Sequence, residues 1–165
     1  LFRSYPAVSW KQSYSLYLEQ LAPWWHEEVG EEWEELRGQA LDILEKESDL
    51  EQIVQLVGPE ALAGKQRWVL DIARLLREGF LQQDAFHEID AYCVPEKQVA
   101  LLALFLWLYN RGRRLIKESV SIEQLREAID LPSLIRLKEE VPDDKVEQIE
   151  KVRQEIERRL ESVKS

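Results

Sequence analysis

Two histidines and one cysteine are all the imidazole and thiol this 165-residue sequence holds. That limits metal and nucleophilic chemistry before any fold is considered. His26 stands among acids in Trp24-Trp25-His26-Glu27-Glu28. A zinc-protease site needs His-Glu-x-x-His, which puts two imidazoles on one helix face, and position 30 is Gly. A di-metal carboxylate bundle needs two Glu-x-x-His pairs on facing helices. Asp84 and His87 share that spacing once, with no counterpart elsewhere. The acids around His26 are therefore read as a solvated helix face, and no metal site is expected. Cys93, beside Tyr92, would need a neighbouring base to act as a nucleophile, and nothing local supplies one. It is read as a packed, inert thiol.

Phosphate chemistry fares no better. Neither Gly-x-x-x-x-Gly-Lys-[Ser/Thr] nor Gly-x-Gly-x-x-Gly occurs. Gly64-Lys65 is a partial echo of the first, but Gln66 stands where a hydroxyl would have to bind magnesium. No catalytic residue is assigned, and the chain by itself is expected to hold no cofactor.

The elements carrying these residues are read as helices almost throughout. An irregular opening leads to a short aromatic helix at Tyr14–Leu21, which Pro23 breaks. Trp10, Trp24, Trp25 and Trp33 with Tyr5, Tyr14 and Tyr17 are expected to lock the short helices together. A longer helix is predicted from Glu27 to Glu45, with Trp33, Leu36, Ala40, Ile43 and Leu44 at three- and four-residue spacings. Ser48-Asp49-Leu50-Glu51 is a capping-box pattern and predicts a fresh helix with Leu50, Ile53, Val54 and Val57 on its apolar face. Gly58-Pro59 predicts its end. After a turn through Gly64, a helix is predicted at Lys65–Glu78 with Val69, Ile72, Ala73, Leu76 and Phe80 facing inward. These two helices and their turn are read as a hairpin, and residues 80–94 as an ordered loop. Pro95 suits the first position of a helix running to Lys117. Ser121-Ile122-Glu123-Gln124 is a second capping box, starting a helix that ends before Pro132. Pro142-Asp143-Asp144 is expected to start the last helix, with Val146, Ile149, Val152, Ile156, Leu160 and Val163 as a narrow stripe. The fold class is all-α: one helical-bundle domain over 1–165, with a protruding helical hairpin and a long C-terminal helix.

A hydrophobic fraction of 45% is ordinary for a packed domain and too high for a disordered chain. With 22 basic and 32 acidic side chains the net charge is −10, which repels phosphate backbones and anionic lipid heads. Nucleic-acid binding and direct membrane insertion are not expected. The longest apolar run, Val99–Tyr109, is half the roughly 20 residues a bilayer requires and predicts a helix buried on all sides. A lone cysteine fits a reducing cytoplasm. The opening Leu1-Phe2-Arg3-Ser4-Tyr5-Pro6 is no signal peptide, and the absence of methionine suggests a piece of something longer.

Several segments resemble one family in order and spacing. They are Ser13-Tyr14-Ser15-Leu16-Tyr17, then Leu21-Ala22-Pro23-Trp24-Trp25, then Glu51 through Leu62 (EQIVQLVGPEAL), then Phe80-Leu81-Gln82-Gln83-Asp84-Ala85-Phe86. Asp90, Tyr92-Cys93 and Glu96-Lys97-Gln98 follow. Together they resemble the C-terminal part of the catalytic A chain of prokaryotic V/A-type rotary ATPases, weakening after about residue 120.

That resemblance implies a catalytic subunit whose β-barrel and phosphate-loop domains are not in this chain. It implies ATP or ADP with Mg in the whole subunit, B subunits and a central rotor shaft as partners, and coupling of ATP hydrolysis or synthesis to proton or sodium transport. Localisation would be cytoplasmic, peripheral to the membrane through the complex. The hairpin would be the lever against the shaft, with a tip carrying Gly58, Pro59, Glu60, Ala61, Leu62, Lys65 and Arg67. The related F-type subunits carry a run of acids at this tip; here Glu60 is the only one, so steric push between shaped surfaces is the expected means. Phe86, with Gln83 and Ala85 as walls, would close over the adenine, and Asp84 would point outward. The competing expectation is a free-standing helical module that pairs through the stripe on its last helix.

Overall fold

The computed structural model describes residues 32–81 and 95–164. The expected aromatic helix at 14–21, the tryptophan cluster, His26, Gln83, Asp84, Ala85, Phe86, His87 and Cys93 lie outside the described residues. The chain divides into two compact units, 1–62 and 63–165. Each is described by itself. All elements among the described residues are helical, so the chain is all-α.

In the first unit, helix α1 runs unbroken over Glu32–Val57. The break expected between Glu45 and Leu50 is absent, and Ser48 sits inside the helix. Ala40, Ile43, Leu44, Glu47 and Leu50 form one continuous buried stripe. Their three- and four-residue spacing crosses Ser48 without slipping phase. The capping-box letters at 48–51 therefore start nothing: a cap needs a non-helical residue, and the stripe holds Ser48 helical. The helix ends where Gly58 takes φ 88° and ψ 159°. That region is essentially closed to side chains with a Cβ. Gly58 N–H donates to the Val54 carbonyl at 2.9 Å, and a 3₁₀ turn follows at Pro59–Ala61.

The second unit opens with helix α2, Gly64–Leu76, which buries Trp68, Val69, Ile72, Ala73, Leu75 and Leu76. The Gln66 side-chain oxygen accepts from the Ala63 N–H at 2.9 Å, holding the helix start. The helix does not stop at Gly79 as expected. It widens into a π-helical turn, Arg77–Leu81. A Cβ on Gly79 would lie 3.3 Å from both the Ile135 backbone and the Phe105 ring, so the wider turn passes where only a bare backbone fits comfortably.

Helix α3, Pro95–Lys117, is the centre of this unit. Leu101, Leu102, Leu104, Phe105, Leu106, Leu108 and Tyr109 are all buried, as an apolar run predicts, while Ala103 and Trp107 are only partly covered. α2 and α3 interlock at one point. The Trp68 indole N–H donates to the Tyr109 carbonyl at 3.1 Å. A Cβ on Gly112 would overlap that indole outright. Glycine is what lets the ring come this close to α3.

α3 ends in a Schellman motif. Ser119 takes φ 77°. The Val120 N–H reaches the Leu115 carbonyl, and the Ser119 N–H reaches that of Ile116, each at 3.0 Å. Ser121 then caps α4, Ile122–Ala128, with both bonds of the capping box formed at 3.1 and 2.9 Å. Two short helices not foreseen from the sequence follow: α5, Leu131–Ile135, and α6, Leu137–Glu140. Asp130 caps α5 through the Ser133 N–H at 3.3 Å. The last helix, α7, spans Glu147–Lys164. It starts later than expected, because Pro142–Lys145 closes a turn of its own with a 3.0 Å bond from the Lys145 N–H. Ile149, Ile156 and Leu160 of the predicted stripe are buried, and α7 packs on α3 and α4. Half of the stripe read as a docking edge is thus packed inside the unit, while Val146, Val152 and Val163 are partly covered.

Candidate contact surface

The buried stripe of α1 runs through Ala40, Ile43, Leu44 and Glu47 to Leu50, and then the pattern fails. Ile53 is 40% exposed, Val57 63% and Leu56 84%. They stand at i, i+3 and i+4, hence on one face of the last turn and a half. The apolar face read from the sequence as Leu50, Ile53, Val54 and Val57 is covered unequally: Leu50 is buried, Val54 partly covered, and Ile53 and Val57 exposed. Leu56 was missed from the sequence. A signal existed, because Leu56 is out of phase with the stripe through Ala40, Ile43, Leu44 and Leu50.

Beyond this apolar face comes the turn. Pro59, Glu60 and Ala61 are exposed, Gly58 is half-covered and Leu62 is buried. A Cβ on Gly58 would meet the Glu60 carboxylate at 3.0 Å, so that side chain lies back over the glycine. The last turn of α1 contains no basic residue. The end of this unit thus offers a small apolar ridge with one acid beside it, held on a 26-residue helix by a glycine-specific turn.

The two basic residues expected at the tip belong to the second unit. Lys65 is exposed in the first turn of α2. Arg67 is turned toward its own bundle and pairs with Glu123 at 3.6 Å.

Elsewhere in the second unit, surface charge is arranged in internal pairs. Arg126 grips Asp71 with two bonds of 2.8 and 3.1 Å. That bond to Asp71 holds the guanidinium pKa above its usual value. These two line a groove of about 580 Å³ with Arg74 and Glu127, and both its cations are already paired, Arg126 with Asp71 and Arg74 with Glu78 at 2.7 Å. The Arg111 Nε–H is shared between the two Glu157 carboxylate oxygens at 3.0 and 3.1 Å, and Arg153 lies 5.3 Å from the Trp107 ring. Among the described residues no group of three or more His, Cys, Asp or Glu converges as metal ligands would. No helix among them is long and apolar enough to cross a membrane.

Comparison with known proteins adds what geometry cannot. The family described as the C-terminal domain of V and A type ATP synthase matches residues 22–126. The chain is 43% identical over 161 residues to the A subunit of an A-type ATP synthase from Methanopyrus kandleri, covering 98% of this chain and 27% of that protein. It is 46% identical over 137 residues to the corresponding A subunit from Staphylothermus marinus, covering 83% and 23%. For that of Methanococcus vannielii the figures are 50% over 110 residues, 67% and 19%. The chain therefore spans about a quarter or less of the length of these curated relatives.

Proposed function

The chain belongs to the family of C-terminal domains of V and A type ATP synthases, and from that premise we propose that it is the mechanical part of a catalytic A chain. On this reading it senses the nucleotide state of the domains that precede it and presses on a central shaft. Hydrolysis or synthesis of ATP, the Mg ion and the B-subunit contacts belong to the whole assembly, and the chain alone turns over no ATP. The ridge of Ile53, Leu56 and Val57, with Pro59, Glu60 and Ala61, is the shaft-facing surface.

One observation carries the reading: two of the largest exposures of apolar side chain, at Leu56 and Val57, directly precede a turn that only glycine permits. The magnitudes suit a working contact. Covering a leucine or valine fully contributes about 2 kcal/mol. A micromolar complex needs about 8 kcal/mol. A ridge this small holds a partner briefly and lets go, as a lever on a turning shaft must. Because the ridge is apolar and carries one acid, contact rests on shape, and added salt should weaken it little.

Phe86, flanked by Gln83 and Ala85, is assigned to the adenine. A ring face stacked on a purine contributes about 1–3 kcal/mol. If nucleotide so held favours one position of the chain over another, its binding and release drive the lever.

The test is a crosslink in the assembled complex. Leu56→Cys in a Cys93→Ser background should join to the central shaft, with a yield that depends on bound nucleotide. A complex in which no nucleotide state gives a shaft adduct, while a control cysteine at a B-subunit boundary reacts, would sink the assignment.

A further inference from the structure

The second unit buries Ile149, Ile156 and Leu160 of the α7 stripe and leaves Val152 and Val163 partly covered. Each of these two valines lines a hollow. Between α7 and α5 lies one of about 300 Å³, whose apolar lining is Leu134, Val152 and Ile156. Between α7 and α4 lies another of about 400 Å³, with Val163 and Ala128 as its apolar lining. Arg159 borders both, so the two hollows meet. The α7 residues that line them recur at three- and four-residue steps from Lys151 to Val163 and share one face. Over that distance a helix rises about 18 Å. The groove is open to solvent along α7 and has the length of three helical turns.

Charge separates its two walls. On the α7 side Glu155 is bonded by Arg158 at 2.5 Å and by Arg159 at 3.3 Å. Lys151 stands one turn before them, exposed and without an ion pair among the described residues. Three bases therefore face one acid on this wall. The lining from α4 and α5 holds Glu127 and Asp130 and no base. Arg126, beside Glu127 in sequence, is committed to Asp71. Glu127 itself is exposed and has no ion pair among the described residues. The groove is thus polarised across its width, basic along α7 and acidic along α4 and α5.

Charged rows on either side of an apolar seam decide which helix pairs there. A polyanion suits the α7 wall and is repelled by the other. A polarised groove calls for an occupant with charge of each sign on opposite edges. We propose that this groove docks an amphipathic helix of another polypeptide, with acidic side chains flanking its apolar edge toward α7 and basic ones toward α4 and α5. The site lies within the second unit and does not depend on the shaft-facing reading of the ridge on α1.

Three helical peptides of about 15 residues, or four turns, test it. All carry leucines at three- and four-residue spacing. One has glutamates along one flank and lysines along the other; the second has glutamates on both flanks, the third lysines on both. Each is titrated into the isotope-labelled full chain and followed by amide resonances. The mixed-flank peptide should shift Ala128, Leu134, Val152 and Val163 and bind about tenfold more tightly than either of the others, the scale of several exposed ion pairs. General attraction to a chain of net charge −10 would instead rank the all-lysine peptide first. Lys151→Glu changes an exposed, unpaired position, so folding should be unaffected, and the mixed-flank peptide should bind about fivefold more weakly.

An all-lysine peptide that binds best overturns the inference. So do equal affinities, no binding, or shifts confined to Ile53, Leu56 and Val57. Unchanged affinity in Lys151→Glu overturns it as well, and the ranking on the parent chain decides the matter if that variant does not fold. Groove resonances that move with chain concentration alone put a second copy of this chain in the groove and overturn the proposed occupant.

Discussion

The Trp68–Gly112 interlock of the second unit and the end of α1 in the first treat large side chains in opposite ways. At the interlock a whole indole is 0% exposed, its N–H bonded and its nitrogen side met by a residue with no side chain at all. At the end of α1, Leu56 is 84% exposed. The same hydrophobic physics acts on both. In one place the fold supplies the complement; in the other it does not. What the contrast teaches is where to look for a partner: at apolar residues that the chain's own packing leaves uncovered, on an element rigid enough to present them.

The sharpest way to test the first half of that contrast is to spoil the interlock. Trp68→Ala removes the largest fully buried side chain among the described residues and, with it, the indole bond to the Tyr109 carbonyl. A loss of about 3–5 kcal/mol is expected for such a truncation. Gly112→Ala attacks the same contact from the other side, and overpacking of this kind costs about 1–3 kcal/mol. Urea unfolding followed by far-UV circular dichroism checks both. A loss below about 1 kcal/mol for Trp68→Ala would mean the indole is loosely held and the contrast between the two regions is false.

The same two regions show what the sequence could and could not tell. α3 was legible to the residue at both ends, because Pro95 marks its start and the apolar run Val99–Tyr109 has no polar face to misplace. The two capping boxes are the instructive pair. Ser121 follows Ser119, whose positive φ has already ended α3, so its hydroxyl is free to cap. Ser48 carries equivalent letters but follows Glu47, which continues a buried stripe, and the helix runs through it. A motif of four residues cannot report whether the chain before it is still helical; the phase of the apolar stripe can. The π-helical turn, α5 and α6 were illegible for another reason. They are short, and the π-helical turn lies where Gly79, Ile135 and Phe105 meet in space, which no local pattern records. Of the surface proposed to touch a shaft, the Gly58–Ala61 turn and the apolar face holding Ile53 and Val57 are visible in the sequence, but the exposure of that face is not. Amphipathic spacing marks an apolar face without saying whether this chain or another covers it.

Between the packed interior and the bare ridge stands a third kind of surface, the ion-paired flank of α7, which should respond weakly. The Lys164 ammonium bonds Glu118 at 2.7 Å and, as the leading cause, holds that carboxyl below the usual range. Bonds from Arg153 and Arg158 act likewise on Glu150 and Glu155. A carboxyl with a depressed folded-state pKa contributes stability that is present above its unfolded value and is lost as pH falls through the folded one. The pairs are exposed, so the contribution is small. The expected result is a Glu118 carboxyl resonance that titrates below the normal range and returns to it in Lys164→Ala, with unfolding midpoints nearly unchanged at neutral pH. A large drop in midpoint would show that this flank is part of the packed region.

The smallest expected effect on the fold is the most telling. Leu56→Ser deletes a large apolar side chain, a change that inside the second unit would cost several kcal/mol. On the exposed end of α1 it should alter the urea midpoint by no more than about 0.5 kcal/mol equivalent, the range of an ordinary surface substitution. The retention of a leucine there then has no account in this chain's own stability, and its account must lie with whatever covers it. If the substitution instead costs about 2 kcal/mol or more, the scale of a side chain taken out of a core, Leu56 is packed in solution, the ridge is part of that core, and the shaft-facing assignment loses the observation on which it stands.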